Sequence, residues 1–463
     1  MSAILSVVSA AFWGILLLSV LVFVHEGGHF LSARAFGMRV TEFFLGMPCR
    51  LKLSHRSKSR GTEVGVTPVL LGGYTRICGM DGDVTARTAA VLGCVMRHGR
   101  ASVADVAAEV GCDDEDALAE LALLCDWASL EPYFDPELGE HEGQKDWPQA
   151  FQTVRRDANL LTAFDAGHDF SLEGSTAAGS PQPIPADDPQ AFLESERSRT
   201  YQGKGFVARF VTLLAGPAVN IVTGLVLLAC VVGVGGLEVA RNVNVVGTVS
   251  DGSLAQAVGI EPGDTISSVA GTPCSDWVGM GDSLRDAISE GEPFEVVVDR
   301  DGSSRTVTVD PSQLSSDGLF GINAPVETYH PGPVQSLGIS WGYVAATASF
   351  VVELLQPAHT AEVVSQSSSV LGISAMAAQA ASSGARDFLF LMAGISLSLG
   401  FMNLIPLPPL DGGKILIEVV QLVSRRRLSS RIQNGLSYAG LALVLLLFFV
   451  AVRQDVIRFV LGG

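Results

Sequence analysis

Positive charge is scarce in this sequence: 30 Lys and Arg stand against 48 Asp and Glu, a formal charge of -18. Binding a phosphate backbone takes a Lys/Arg surface, so nucleic acid is excluded as a partner. Charge of either sign is sparse, at 17% of residues, while hydrophobic residues reach 48% and mean hydropathy is +0.36. That balance points to a membrane protein. The seven cysteines are odd in number and contain no C-x-x-C pair, so neither a disulfide framework nor a cysteine zinc site is indicated. No internal repeat of the apolar segments is visible, which argues against a transporter. No Lys or Arg precedes the first apolar run, and a histidine motif follows it where a signal peptide would carry small residues, so the run is not read as a cleaved signal.

Long apolar runs are what the sequence has instead. Residues 1–24 carry no charge, and similar runs lie near 206–236, 388–410 and 435–452. Each approaches the roughly 20 residues a helix needs to cross a bilayer. Lys and Arg mark the cytoplasmic ends of spans. Arg34, Arg39, Arg50, Lys52, Arg56, Lys58 and Arg60 follow the first run with only Glu42 against them, and Lys414, Arg425, Arg426, Arg427 and Arg431 lie between the last two. Both loops are therefore cytoplasmic, and 237–386 lies mainly outside; Arg453 and Arg458 oppose this but are fewer. Residues 334–355 are apolar yet hold Ser336, Ser340, Thr347, Ser349 and Glu353, and are read as an interfacial amphipathic helix in preference to a fifth crossing.

Between the spans the polar stretches differ in kind. Runs at 39–53 and 63–77 are rich in β-branched and aromatic residues around a turn at Gly61, predicting a β-hairpin. Three short helices at 87–97, 103–110 and 115–127, then an extended 130–134, resemble a small winged-helix unit. No Lys or Arg occurs from 101 to 141, and Asp113, Asp114, Glu115 and Asp116 open the third helix, so its partner is expected to be a protein and not DNA. Residues 137–204, with Pro181, Pro183, Pro185 and Pro189, read as a partly disordered linker. Alternating runs at 245–249, 265–269, 294–299 and 304–309 surround Gly259-Ile-Glu-Pro-Gly-Asp264. With Gly252-Ser-Leu-Ala-Gln-Ala-Val-Gly before it and Val269-Ala-Gly-Thr after, this region resembles a bacterial PDZ domain, a module that binds peptides by strand addition.

The chemistry is carried by His25-Glu-Gly-Gly-His29, in which histidines at i and i+4 share a helix face and can hold one zinc ion. Glu26 beside them is placed to take a proton from a water whose pKa zinc lowers to about 7. The alternative is a helix that simply ends at water; against it, two imidazoles and a carboxylate at the end of an apolar span are costly unless paired or coordinated. A zinc site of this kind needs a third protein ligand. In Asn403-Leu-Ile-Pro-Leu-Pro-Pro-Leu-Asp-Gly-Gly413 three prolines break an apolar helix, and broken backbone at membrane depth is tolerated only inside protein or beside a wet cavity. Asp411 is the candidate.

His25-Glu-Gly-Gly-His29 and Asn403 to Gly412 together resemble the paired motifs of the site-2 protease family, and the PDZ-like region narrows the likeness to the bacterial branch that regulates sigma factors. Leu71-Gly-Gly-Tyr74 resembles that family's membrane-associated hairpin motif, and Ala215-Gly-Pro-Ala-Val-Asn220 its second-helix motif. The resemblance implies that His25, His29 and Asp411 bind Zn2+, that Glu26 is the general base, and that Asn403, Asn220 and the hairpin glycines Gly72 and Gly73 hold the substrate as an extended strand. A helical substrate hides its carbonyls in i to i-4 bonds and must unwind before water attacks. The implied partners are the lipid bilayer and single-span membrane proteins, such as a trimmed anti-sigma factor or a remnant signal peptide. The expected fold is a multi-span α-helical membrane protein of the bacterial cytoplasmic membrane with about four transmembrane helices. Residues 1–36 form the first span, 37–80 the membrane-associated β-hairpin, 81–136 the cytoplasmic winged-helix-like insert and 137–204 the cytoplasmic linker. Residues 205–237 form the second span, 238–328 the extracytoplasmic PDZ-like domain, 329–386 interfacial helices, 387–424 the third span and 425–463 the fourth span and C-terminus. The insert is an addition to the family pattern, and Ser369-Val-Leu-Gly-Ile-Ser374 stands where a Gly-Pro is usual. The other reading is a non-catalytic membrane scaffold or sensor that binds partners through its PDZ-like and winged-helix-like parts.

Overall fold

The computed structural model describes residues 2–70, 72–314, 319–354, 356, 369–426 and 428–460; Leu71, Leu355 and Arg427 from the motifs and stretches above lie outside them. The chain divides into two compact units, 1–228 with 339–463, and 229–338. The first begins with α1 (Ser2–Ala35), which at 34 residues is about 50 Å long, more than the ~30 Å of a bilayer's hydrocarbon. After it come β1 (Val40–Leu45), β2 (Leu53–Arg56), β3 (Glu63–Val66) and β4 (Gly73–Ile77). They form one sheet in the order β2-β3-β1-β4, with β1 parallel to β3 and antiparallel to β4. This differs from a simple hairpin, because Gly46 at φ +98° and the prolines at 48 and 68 cut each expected run into short strands.

Next are α2 (Thr88–His98), β5 (Arg100–Ser102), α3 (Val103–Val110), α4 (Asp114–Asp126), β6 (Leu130–Tyr133) and β7 (Ala150–Thr153). Ser102 and Asp105 make a capping box at the start of α3, Gly111 closes it in the left-handed conformation, and Asp113 caps α4. Leu92, Val95, Met96, Val106, Leu121, Leu124, Trp127 and Phe151 form its core. Residues 137–204 are packed and not a disordered linker: β7 joins β5 and β6, and Phe192 and Leu193 of α5 (Pro189–Arg197) enter the same core. A buried ionic cluster completes the packing. Arg39 meets Asp165 at 2.7 Å and Glu196 at 2.8 Å, and Arg156 meets Glu196 at 2.9 Å, so the chain just beyond α1 is tied to the insert. Burial alone would raise the Glu196 pKa; the charges of Arg156 and Arg39 outweigh it and hold the carboxyl well below the usual range. Asp165 is lowered likewise, burial being opposed by Arg39. Then α6 (Phe206–Gly235) follows.

The unit 229–338 carries β8 (Leu237–Ala240), β9 (Thr248–Val249), α7 (Leu254–Ala257), β10 (Thr265–Val269), β11 (Thr272–Pro273), α8 (Trp277–Glu290), β12 (Phe294–Arg300), β13 (Ser303–Val309), β14 (Ile322–Asn323) and β15 (Val326–Tyr329). A sheet in the order β11-β10-β12-β13 packs Ile266, Val269, Val296, Val298, Val307 and Val309 against Met280 and Leu284 of α8. In the turn before β10, Gly259 and Gly263 take positive φ, and buried Asp264 receives Arg300 at 2.7 Å.

The chain ends with α9 (Pro333–Leu354), α10 (Val370–Ser383), α11 (Ala385–Asn403), α12 (Asp411–Ser424) and α13 (Ser430–Val460). Five described helices are long and apolar enough to cross a membrane: Ile4–Ala35, Phe206–Gly235, Pro333–Leu354, Ala385–Asn403 and Arg431–Asp455. The helix beyond the expected four is α9, whose Val344 packs with Leu228 of α6 and with Ala393 and Leu397 of α11. The expected third span is two helices, α11 and α12, parted at 404–410 by the three prolines.

Candidate active site

Four elements build the site. On α1, one helical turn sets His25 and His29 side by side, 9% and 8% exposed. Asp411 is the first residue of α12, where the positive end of the helix dipole favours a carboxylate. The proline break thus turns the chain so that a new helix begins at the histidines. Asp411 Oδ2 lies 3.1 Å from His25 Nε2 and 3.2 Å from His29 Nε2, and the two Nε2 atoms are 3.2 Å apart. Close approach depends on glycine: a Cβ on Gly28 would meet Ala215 O of α6 at 2.5 Å, and one on Gly216 would meet His29 Nε2 at 2.3 Å. On Gly413 it would meet Pro408 N at 2.1 Å.

The outward nitrogens decide what the triangle can do. His29 Nδ1–H donates to Thr212 O at 2.8 Å, so His29 Nε2 carries a lone pair. His25 Nδ1 lies 3.4 Å from the Asn220 side-chain nitrogen, while buried Asn220 Oδ1 is left without a partner. Half a turn of that amide puts Oδ1 on a His25 Nδ1–H and satisfies both groups. Three lone-pair atoms then face one another, an arrangement that repels unless a cation sits among them. Their 3.1–3.2 Å edges match one face of a tetrahedron around a metal with bonds of about 2.0–2.1 Å, whose edges are near 3.3 Å.

A cavity of about 300 Å³ opens beside this triangle, lined by Glu26, Tyr74, Thr75, Asn403 and Lys414 among others. Of the residues expected to touch substrate, Asn403 lines it. Asn220, 1% exposed, stands behind His25 and is not among the lining residues. Gly73 begins β4 where an added Cβ would sit 2.9 Å from Phe44 O and 3.5 Å from Glu26 Cγ, and Gly72 lies against Met47. Sequence reasoning missed Thr212, which acts through its backbone carbonyl and so leaves no side-chain signal. It also missed Thr75, whose hydroxyl donates to Glu26 O at 3.1 Å and docks β4 on α1.

The chain is 25% identical to a putative zinc metalloprotease of Lactococcus lactis, the alignment covering 96% of this chain and 97% of that one. It is 24% identical to the zinc metalloprotease RasP of Geobacillus kaustophilus, over 96% of this chain and 97% of the relative. To the probable protease eep of Enterococcus faecalis it is also 24% identical, over 96% and 98%. The model of peptidase family M50 matches residues 13–447, a span that takes in both the histidine pair and the aspartate, and the chain belongs to that family.

Proposed function

We propose that this multi-pass membrane protein is a zinc-dependent endopeptidase that cuts the transmembrane segment of single-span proteins. The observation that carries the reading is the triangle of His25 Nε2, His29 Nε2 and Asp411 Oδ2, with His29 Nδ1 bonded to Thr212 O and His25 Nδ1 beside the Asn220 amide. These three side chains would hold the zinc; Thr212 and Asn220 fix the ring orientations. When bound, zinc supplies Lewis acidity that acidifies a water and polarises the scissile carbonyl. Glu26, which lines the cavity, would take a proton from the attacking water and hand it to the leaving amine. Among the described residues β4 is an edge strand of its sheet, and Tyr74 and Thr75 on it line the cavity, so an unwound substrate adds there as a further strand. Asn403 offers its amide to the backbone groups that unwinding releases.

The end of α1 and the 81–204 region lie in the cytoplasm and 238–328 outside on this reading, which the basic residues after the first span and between the last two support. The 81–136 region serves as a winged-helix-like contact module and 238–328 as a PDZ-like one. The substrate class is a pre-trimmed single-span protein, such as an anti-sigma factor or a remnant signal peptide.

The test is incubation of the purified chain with a truncated single-span substrate, with and without a zinc chelator, and sequencing of the products. Glu26→Gln lowers turnover by about 10²–10⁴-fold while bound zinc stays unchanged. Cleavage that persists in this variant at the wild-type rate rejects the mechanism.

A further inference from the structure

Among the described residues one other group brings metal-ligating atoms together: Cys94, His98 and Glu109, whose sulfur, ring nitrogen and carboxylate oxygen all lie within 4.8 Å of one another. We propose that these three side chains form a second site for a divalent metal of the zinc class, located in the insert and separate from the catalytic triangle. Cys94 and His98 are i and i+4 on α2 and so share one face, and Glu109 comes from the neighbouring α3. The cysteine is fully buried and approaches from the core, whereas the histidine and glutamate side chains are 55% and 37% exposed and approach from water.

The two carboxylate oxygens are divided between tasks. Arg97 holds Oε1, and Oε2 is turned to His98 Nε2 at 2.9 Å. A surface ion pair would explain the arginine, the histidine and the glutamate. The buried Cys94 thiol hydrogen-bonds the same carboxylate from the core side, which adds a third ligand atom of the kind a metal takes. A guanidinium that steadies the far oxygen of a ligating carboxylate is a common outer partner of metal sites. Sulfur, imidazole nitrogen and carboxylate oxygen suit zinc and disfavour magnesium or calcium, which take oxygen alone. Three protein ligands leave a fourth position on the exposed side, open to water or to a small exogenous ligand. Metal here displaces the His98–Glu109 hydrogen bond and the thiol proton, and cross-links α2 to α3. The site stands whether or not the catalytic reading does.

The whole purified chain, stripped with chelator and reloaded with Co2+, provides the test. A thiolate ligand gives a sulfur-to-cobalt charge-transfer band, which a site of two imidazoles and a carboxylate cannot produce. Wild type and Asp411→Ala are both expected to show the band, and Cys94→Ser to lose it. Because Cys94 is in the core, His98→Ala provides a second reading at an exposed position: cobalt affinity should fall about tenfold or more, and Arg97→Ala should cost about tenfold. Absence of the band in wild type, its survival in Cys94→Ser, or unchanged affinity in His98→Ala overturns the proposal.

Discussion

His29 and Arg39 stand a short way apart along the chain, and each belongs to a buried polar cluster. Around Arg39 opposite charges pair off: guanidinium donors from Arg39, Arg156 and Arg199 meet the oxygens of Asp165 and Glu196 at 2.7–3.4 Å, with Arg156 Nε left without a partner. Around His29 the outward ring nitrogens are taken up by Thr212 O and the Asn220 amide, and His25 Nε2, His29 Nε2 and Asp411 Oδ2 point at one another. Burial and ionisable side chains are common to both, so neither property marks function. The direction of the lone pairs does. A closed cluster holds elements together; an open one asks for a ligand.

Three experiments press on that contrast. Asp411→Ala should remove the catalytic zinc and abolish cleavage, read by metal analysis and product sequencing, while hydrogen exchange in the insert core stays at wild-type protection. Loss of that protection would mean that the two clusters are one unit.

Glu196→Ala should do the reverse, destabilising the insert by about 3–5 kcal/mol, because it strands the buried Arg156 guanidinium and removes one of the two carboxylates that hold Arg39. Its pH dependence has a definite sign. The folded pKa values of Glu196 and Asp165 are depressed, so their contribution is fully present above the unfolded carboxylate value of about 4 and is lost as pH falls through the lower folded values. Amide protection in 150–153 should therefore be level from neutral to about pH 5 and fall only in stronger acid; a fall between neutral and pH 5 would assign it to other groups.

The smallest effect is expected at the outer ring of the open cluster. Asn220→Ala should weaken zinc binding by about 10–100-fold, with Asn220→Asp recovering most of it, since only the acceptor oxygen matters. Equal loss in both variants would point to packing.

The site's chemistry was legible in the sequence and its architecture less so. A histidine pair one turn apart and an aspartate behind a proline break are side-chain signals, and the structure brings all three within 3.2 Å. The insert's helices were readable because Ser102, Gly111 and Asp113 are local caps. The order of the 37–80 sheet was not, since pairing β1 with β3 in parallel is a long-range choice that alternation does not encode. Residues 137–204 were misread because proline and polar content resembles disorder, and only Arg39, far back in the chain, reveals that Glu196 and Asp165 have partners. Asn220 was placed beside the substrate, when what mattered was which side of His25 its helix passes.

His25 and Asp411 are 386 positions apart, and the triangle has no third corner until both are made. A ribosome that has threaded only the earlier helices into the bilayer has therefore produced two imidazoles and no hydrolase. With Asp411 as the third ligand, cleavage has to wait until the last part of the polypeptide is made and packed against the first helix.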